Sequence, residues 1–178
     1  MIFRPTPIEG AFLVELEPHE DSRGSFARSF CLNEFKDAGI DFNVAQCNLA
    51  RTREAGTVRG LHYQEAPAAE QKLVRCLAGG VLDVIIDMRP ESTTWHKTFS
   101  VTLNPENRLA LFIPGGIAHG YQALEDNTEF FYMTDEFYSA SHEKGVRFDD
   151  PIIGPVWPID PRNVTDRDQK WPTIEKNT

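Results

Sequence analysis

Along most of this chain, apolar and polar residues alternate in short runs with a period of two. The runs 11–17 (AFLVELE), 24–30 (GSFARSF), 44–52 (VAQCNLART), 57–64 (TVRGLHYQ), 71–79 (QKLVRCLAG) and 80–89 (GVLDVIIDMR) are rich in β-branched and aromatic residues and separated by turn signals. Segments 97–104, 108–116, 118–125 and 128–138 continue the pattern. Short strands in succession, with almost no helix between them, predict an all-β antiparallel sandwich or barrel rather than a parallel βαβ sheet. One helix is predicted over 32–38 (LNEFKDA), capped by Asn33 and ended by Gly39. Residues 149–172 are irregular and proline-rich, and are expected to wrap the sheet surface and add a short helix. No repeat, low-complexity tract or linker divides the chain, so one domain is expected over 1–178.

The same alternation predicts which side chains share a face. His62 falls with Gly60 and Gln64, Lys72 with Val74 and Cys76, His119 with Tyr121 and Ala123, and Tyr132 with Phe130 and Thr134. The faces that carry Lys72 and Tyr132 are otherwise mostly apolar or small. An ammonium in an apolar interior is costly unless paired, so a lined, partly wet cavity is the cheaper place for it. Taken singly, each residue has a plainer reading: a hydrogen-bonded core histidine, a snorkelling lysine, a core tyrosine, and for Arg59 a solvated edge position. Only their joint placement on neighbouring strands points to a site.

Composition narrows the class. The chain has 178 residues, enough to bury a core without staples, and a net charge of −9. An acidic chain without a basic run is a poor match for nucleic acid or an anionic membrane, although local arginines can still hold a phosphorylated small molecule. Cys31, Cys47 and Cys76 cannot all pair within one chain and match no metal spacing; they read as free thiols in a reducing compartment. The N-terminal MIFRPTPIEG has no apolar signal core, and no run reaches the ~18 apolar residues of a membrane span. A cytoplasmic location is expected.

PGGIAHG fits a cupin strand signature through Pro114, Gly116 and His119, a setting that often holds a metal. Here the first motif reads His62–Tyr63–Gln64, so two sensible ligands remain and Lys72 stands nearby. A catalytic divalent metal needs about three protein ligands and no competing cation. The expectation is a site without metal or cofactor. His, Lys and Tyr together are parts for moving protons at carbon. The imidazole supplies a base of suitable pKa, the ammonium a fixed charge for an enolate oxygen, and the phenol a weak acid. A carboxylate to orient His62 would come from TDRD, as Asp166 or Asp168, if the tail folds back.

These residues resemble the dTDP-4-dehydrorhamnose 3,5-epimerase family of sugar-nucleotide epimerases. The likeness runs through EDSRGSFARSF, QCNLARTREAGTVRGLHYQ, EQKLVRCLAGGVLDVIIDMRPES, IPGGIAHGYQALED, FFYMTDEFY, RFDDPIIGPVWP and DRDQKWP, nearly the whole length. It implies a jelly-roll homodimer that needs no metal or cofactor. Its substrate would be a nucleoside-diphospho-4-keto-6-deoxyhexose, inverted at C3, C5 or both, in deoxysugar biosynthesis for surface polysaccharide. By resemblance His62 is the base, Asp168 its orienting partner, Tyr132 the acid on the opposite face and Lys72 the enolate stabiliser. Arg59 and His119 are implied as substrate contacts, with Asp83 behind His119, and Gln46 and Asn48 as nucleotide contacts. Tyr138 is implied as a base-stacking residue, and Arg23 and Phe26 as contacts from the partner subunit. One departure bears on the nucleotide: Arg28 stands where the family usually has glutamate. Alternatives are inversion at one carbon on a different nucleotide, a ketoisomerase of the same sugars, and a non-catalytic sugar-binding cupin module.

Overall fold

The computed structural model describes residues 1–154 and 156–174. Thirteen strands follow in chain order: β1 (Ile2–Pro5), β2 (Phe12–Glu15), β3 (His19–Asp21), β4 (Gly24–Phe26), β5 (Gln46–Thr52), β6 (Val58–Gln64) and β7 (Lys72–Ala78), then β8 (Val81–Asp87), β9 (Thr98–Leu103), β10 (Ala110–Ile113), β11 (Ile117–Ala123), β12 (Thr128–Thr134) and β13 (Glu143–Gly145). One helix, α1 (Leu32–Asp37), and one 3₁₀ turn at Asp168–Lys170 complete the elements. A six-stranded sheet in the order β1-β2-β10-β7-β12-β5 faces a five-stranded sheet in the order β13-β6-β11-β8-β9. All ladders between these strands are antiparallel, and β3 and β4 form a separate hairpin. This is the antiparallel sandwich that the alternation predicts, in the jelly-roll form that the resemblance implies.

The alternation also accounts for three packed layers. Val74 and Cys76 of β7, Val81 and Ile85 of β8, Tyr121 of β11 and Phe130 of β12 fill the space between the sheets. Leu73, Phe112 and Met133 point the other way, onto Phe35 of α1 and Phe42. Leu61, Val84, Ile86 and Ala118 cover the outside of the second sheet together with Val146 and Ile153. Burial of each large apolar side chain is worth about 1.5–3 kcal/mol, so the wall positions of the cavity are fixed by core residues one step away on the same strands.

Several expectations are corrected. The strand read over 24–30 stops at Phe26, and the run 128–138 is strand only to Thr134. Three short strands, β1, β3 and β13, were not predicted. Cys31, not Asn33, sits at the helix N-cap, in extended geometry and with no side-chain bond to the helix. Gly39 does end the helix: its φ is 79° and its N–H donates to the Lys36 carbonyl at 2.9 Å. The C-terminal segment is irregular, apart from an isolated bridge to Thr57 and the 3₁₀ turn, with Pro155 outside the described residues.

Strict alternation fails at β6, and the site depends on that failure. Tyr121 pairs with Arg59 but His119 pairs with His62, so β6 carries one extra residue in this stretch. The bulge turns both Arg59 and His62 into the cavity, where alternation puts them on opposite faces. Gly60 makes it possible: its φ is 106°, and a Cβ there would lie 2.6 Å from the Cα of Gly120.

Candidate active site

A cavity of about 880 Å³ opens between the sheets. β6 and β11 supply one wall, with Arg59, His62, His119 and Tyr121; β5, β7 and β12 supply the facing wall, with Gln46, Asn48, Lys72 and Tyr132. Residues from the irregular parts of the chain, including Tyr138, Glu143, Arg167 and Asp168, also line it. Of the sequence-predicted site residues, His62, Lys72, Tyr132, Asp168, Gln46, Asn48, Arg59, His119 and Tyr138 all line this one cavity. Arg23 and Phe26 do not. They sit on the β3–β4 hairpin, Arg23 paired with Asp21 at 2.6 Å and Phe26 72% exposed. Arg28 turns to α1, where its guanidinium meets Glu34 at 2.9 Å.

His62 and Tyr132 therefore stand on opposite walls. The tail folds back as anticipated, and Asp168, not Asp166, reaches His62: Nε2 to Oδ1 is 2.6 Å. Burial pushes the Asp168 carboxyl up. The hydrogen bond and charge of His62, the Thr165 hydroxyl and the Gly60 N–H outweigh it, and the carboxyl rests below the usual carboxylate range. With Asp168 ionised, the His62 proton is held on Nε2 and the Nδ1 lone pair is free to act as a base.

Lys72 starts β7 with its side chain 11% exposed, and its Nζ is 2.9 Å from a Glu70 oxygen. Glu70 also lines the cavity and is a member of the site that the sequence reading missed. The pairing explains how a nearly buried ammonium is tolerated. Gln71 fixes this corner to the end of β12, with its backbone N–H 2.7 Å and its side-chain amide 2.6 Å from the Asp135 carboxylate. Tyr132 is partly buried; burial first, then the charge of Glu70, push its phenol above the ordinary value, against a smaller opposing effect of Arg59.

Behind these groups, His119 Nε2 lies 2.8 Å from Asp83 Oδ2. Tyr121 stacks on Phe130 at 4.3 Å, and its hydroxyl lies 3.3 Å from Thr52 Oγ1, which also accepts from Arg59 Nε at 3.2 Å. Tyr121 was legible as a neighbour of His119 by parity, although no role was given to it. Elsewhere in the lining, the Tyr138 hydroxyl donates to Glu143 at 2.8 Å, Glu143 pairs with Arg167, and the Tyr138 N–H meets the Gln46 side-chain oxygen at 3.3 Å. Glu143 and Arg167 fall in segments without periodicity, which left no signal for them. Arg51, Arg53, Arg59 and Arg167 give the cavity cationic walls suited to an anionic ligand. Among the described residues, no three His, Cys, Asp or Glu side chains converge as a metal cluster would require.

The arrangement can take a proton from one face of a bound molecule and return one from the other. Known proteins share this architecture. The family model for dTDP-4-dehydrorhamnose 3,5-epimerase matches residues 5–176. A dTDP-4-dehydrorhamnose 3,5-epimerase of Shigella flexneri is 40% identical over 164 residues, 92% of this chain and 90% of that protein. The crystal structure of a dTDP-4-dehydrorhamnose 3,5-epimerase from Bacillus anthracis with TDP and PPi bound superposes with a TM-score of 0.93 at 34% identity, covering 97% of this chain and 99% of that one. A 3'-monoepimerase from Streptomyces bikiniensis in complex with dTDP-quinovose superposes with a TM-score of 0.87 at 34% identity, covering 95% and 86%. On the family match, the identity and the fold together, this chain belongs to the dTDP-4-dehydrorhamnose 3,5-epimerase family.

Proposed function

We propose that the protein binds a nucleoside-diphospho-4-keto-6-deoxyhexose of the dTDP-4-dehydro-6-deoxyglucose type and inverts it at C3 and C5. The C4 ketone acidifies the hydrogens on both neighbouring carbons. His62 Nδ1 removes one as a proton, and the electron pair of that C–H bond moves through the carbon framework onto the C4 oxygen. Lys72 carries the charge of the resulting enolate. Tyr132 then gives its hydroxyl proton to the carbon from the opposite face, and the enolate collapses to the ketone. Exchange with solvent returns a proton to Tyr132 and removes one from His62. The cavity arginines hold the diphosphate, while Gln46, Asn48 and Tyr138 contact the nucleoside.

The observation that carries this reading is the placement of an Asp168-oriented imidazole and a phenol on facing walls of one cavity. The test is epimerisation in deuterated water, followed carbon by carbon by NMR. Wild type takes up deuterium at C3 and C5. His62→Ala abolishes uptake at both; exchange at the wild-type rate in that variant would overturn the assignment. Inversion at one carbon is a second reading, favoured by the likeness to a 3'-monoepimerase. Deuterium at a single position in wild type decides for it. The chain is further proposed to act as one domain in a cytoplasmic homodimer, with the Arg23–Phe26 hairpin reaching toward the neighbouring subunit's cavity. The exposure of Phe26 supports this.

A further inference from the structure

Two imidazole–carboxylate pairs stand side by side in this cavity. His62 and His119 are direct register partners on β6 and β11. Each gives Nε2 to a carboxylate, His62 to Asp168 at 2.6 Å and His119 to Asp83 at 2.8 Å. The two carboxylates have different surroundings. Asp168 takes a hydrogen bond from His62 at 2.6 Å, and the Thr165 hydroxyl and the Gly60 N–H also favour its charged form, so an anion there is well supported. Asp83 points inward from β8 between Val81 and Ile85, is fully buried, and has no partner for Oδ1.

The charged and titratable groups facing Asp83 are few. β11 brings His119 and, in register opposite, Tyr121; β7 brings Lys72; on β9 the register partner is the apolar Val101. Lys72 is already engaged by Glu70 at 2.9 Å. An anion at Asp83 would thus be buried with a bare oxygen and with His119 as its one close partner, a costly state for a carboxyl. A proton removes that charge and leaves Oδ1 as a neutral acceptor. Consistently, burial pushes the Asp83 carboxyl up, and the opposing pull of His119 and Lys72 does not cancel it.

We infer that the two pairs hold their proton at opposite ends, so that His62 presents a lone pair to the cavity and His119 presents an N–H. In the first pair the proton sits on His62 Nε2. In the second it sits on Asp83 Oδ2, which donates to His119 Nε2, so the ring's own proton is on Nδ1. His119 lines the cavity and Asp83 does not, so Nδ1 is the nitrogen left for substrate. Stacking of the imidazole over Phe130, 18° from parallel with centroids 6.1 Å apart, helps to fix the ring. His119 is then a second donor, beside Lys72, for the oxygen on which the enolate charge develops, and Asp83 is the residue that positions its proton. The oxygen it serves rests on the epimerase reading above; the proton placement does not.

The experiment is long-range ¹H–¹⁵N NMR on the full chain labelled in histidine, with His119→Gln and His62→Ala used to assign the rings. Near pH 7, His119 is expected to be protonated on Nδ1 alone and His62 on Nε2 alone. A His119 proton on Nε2, or on both nitrogens, overturns the inference whether or not the protein epimerises anything. The ¹³C carboxyl resonance of Asp83 is expected in the protonated range, and one in the ionised range counts equally against it. In turnover, His119→Leu is expected to lower kcat by about 10²–10³-fold with a smaller change in KM, as loss of an oxyanion donor does. His119→Gln, which keeps an N–H, recovers part of that loss; equal losses in the two variants would sink the donor role.

Discussion

At the scale of single residues, the cavity sorts its ionisable groups by what surrounds them. Asp168 is held ionised by its donors, and in the proposed mechanism its service is to keep the His62 proton on Nε2. Asp168→Asn preserves the shape but offers an amide that can hold the wrong tautomer; kcat is expected to fall by about 10³–10⁴-fold while the fold persists by circular dichroism. In the proposed mechanism Tyr132 has the opposite requirement, since an acid that ionises early is useless. Burial and then the Glu70 charge raise its phenol, so it stays protonated further into the alkaline range than a free tyrosine. Glu70→Gln removes the second of these causes. The alkaline limb of the kcat–pH profile is expected to move to lower pH in that variant, and an unmoved limb would show that Glu70 does not act on Tyr132. Parity along β7 and β12 was enough to aim Lys72 and Tyr132 inward. Glu70 was not legible, because its role comes from a corner ahead of β7, where no periodicity operates.

At the scale of elements, strand existence followed from alternation, but the face of Arg59 did not. One inserted residue in β6 reverses the parity between Arg59 and His62, and nothing in TVRGLHYQ other than the glycine marks the place. The short strands escaped for a related reason: β13 is Glu143–Gly145, with no apolar pattern of its own, and it is strand because β6 offers it a free edge. Gly60→Ala would drive a methyl into the Gly120 backbone at an unfavourable φ. The expected result is a loss of roughly 2–4 kcal/mol in urea unfolding, with activity falling further than stability explains. A second element-level device lies at the end of β8. Buried Asp87 accepts from the Arg89 guanidinium at 2.7 Å and from the Ser92 and Thr94 hydroxyls at 2.6 Å each. Burial alone would raise this carboxyl, but these bonds bring it down to about 2. A depressed folded-state value stabilises above the unfolded value near 4 and is lost as pH falls toward 2. The contribution is about 2 kcal/mol. Asp87→Asn is expected to be less stable than wild type near pH 7, with the gap narrowing between about pH 4 and pH 2. A gap that stays constant with pH would place the effect outside this carboxyl.

At the scale of the whole molecule, one chain encloses the proposed proton-transfer groups but leaves two implied substrate contacts outside its own cavity. Arg23 and Phe26 project from a two-stranded hairpin that pairs with neither main sheet. Apolar surface lies open on this chain: Phe26 is 72% exposed, and Leu49 on the outer face of edge strand β5 is 62% exposed. A twofold arrangement in which each hairpin serves the other subunit's cavity would bury this surface and complete both sites, because an isologous contact supplies each with the same residues. The consequence is functional complementation. Arg23→Ala and His62→Ala are each expected to be impaired alone, the first by loss of substrate binding and the second by loss of the base. In a mixed dimer, the Arg23→Ala subunit keeps His62 and borrows Arg23 from its neighbour, so one of the two cavities works. Random reassociation makes half the dimers mixed, and the mixture should recover roughly a quarter of wild-type activity. Unmixed variants, or mixtures kept from exchanging subunits, should recover none. Activity equal to the sum of the two separate variants after full exchange would mean that Arg23 serves its own chain or no site at all.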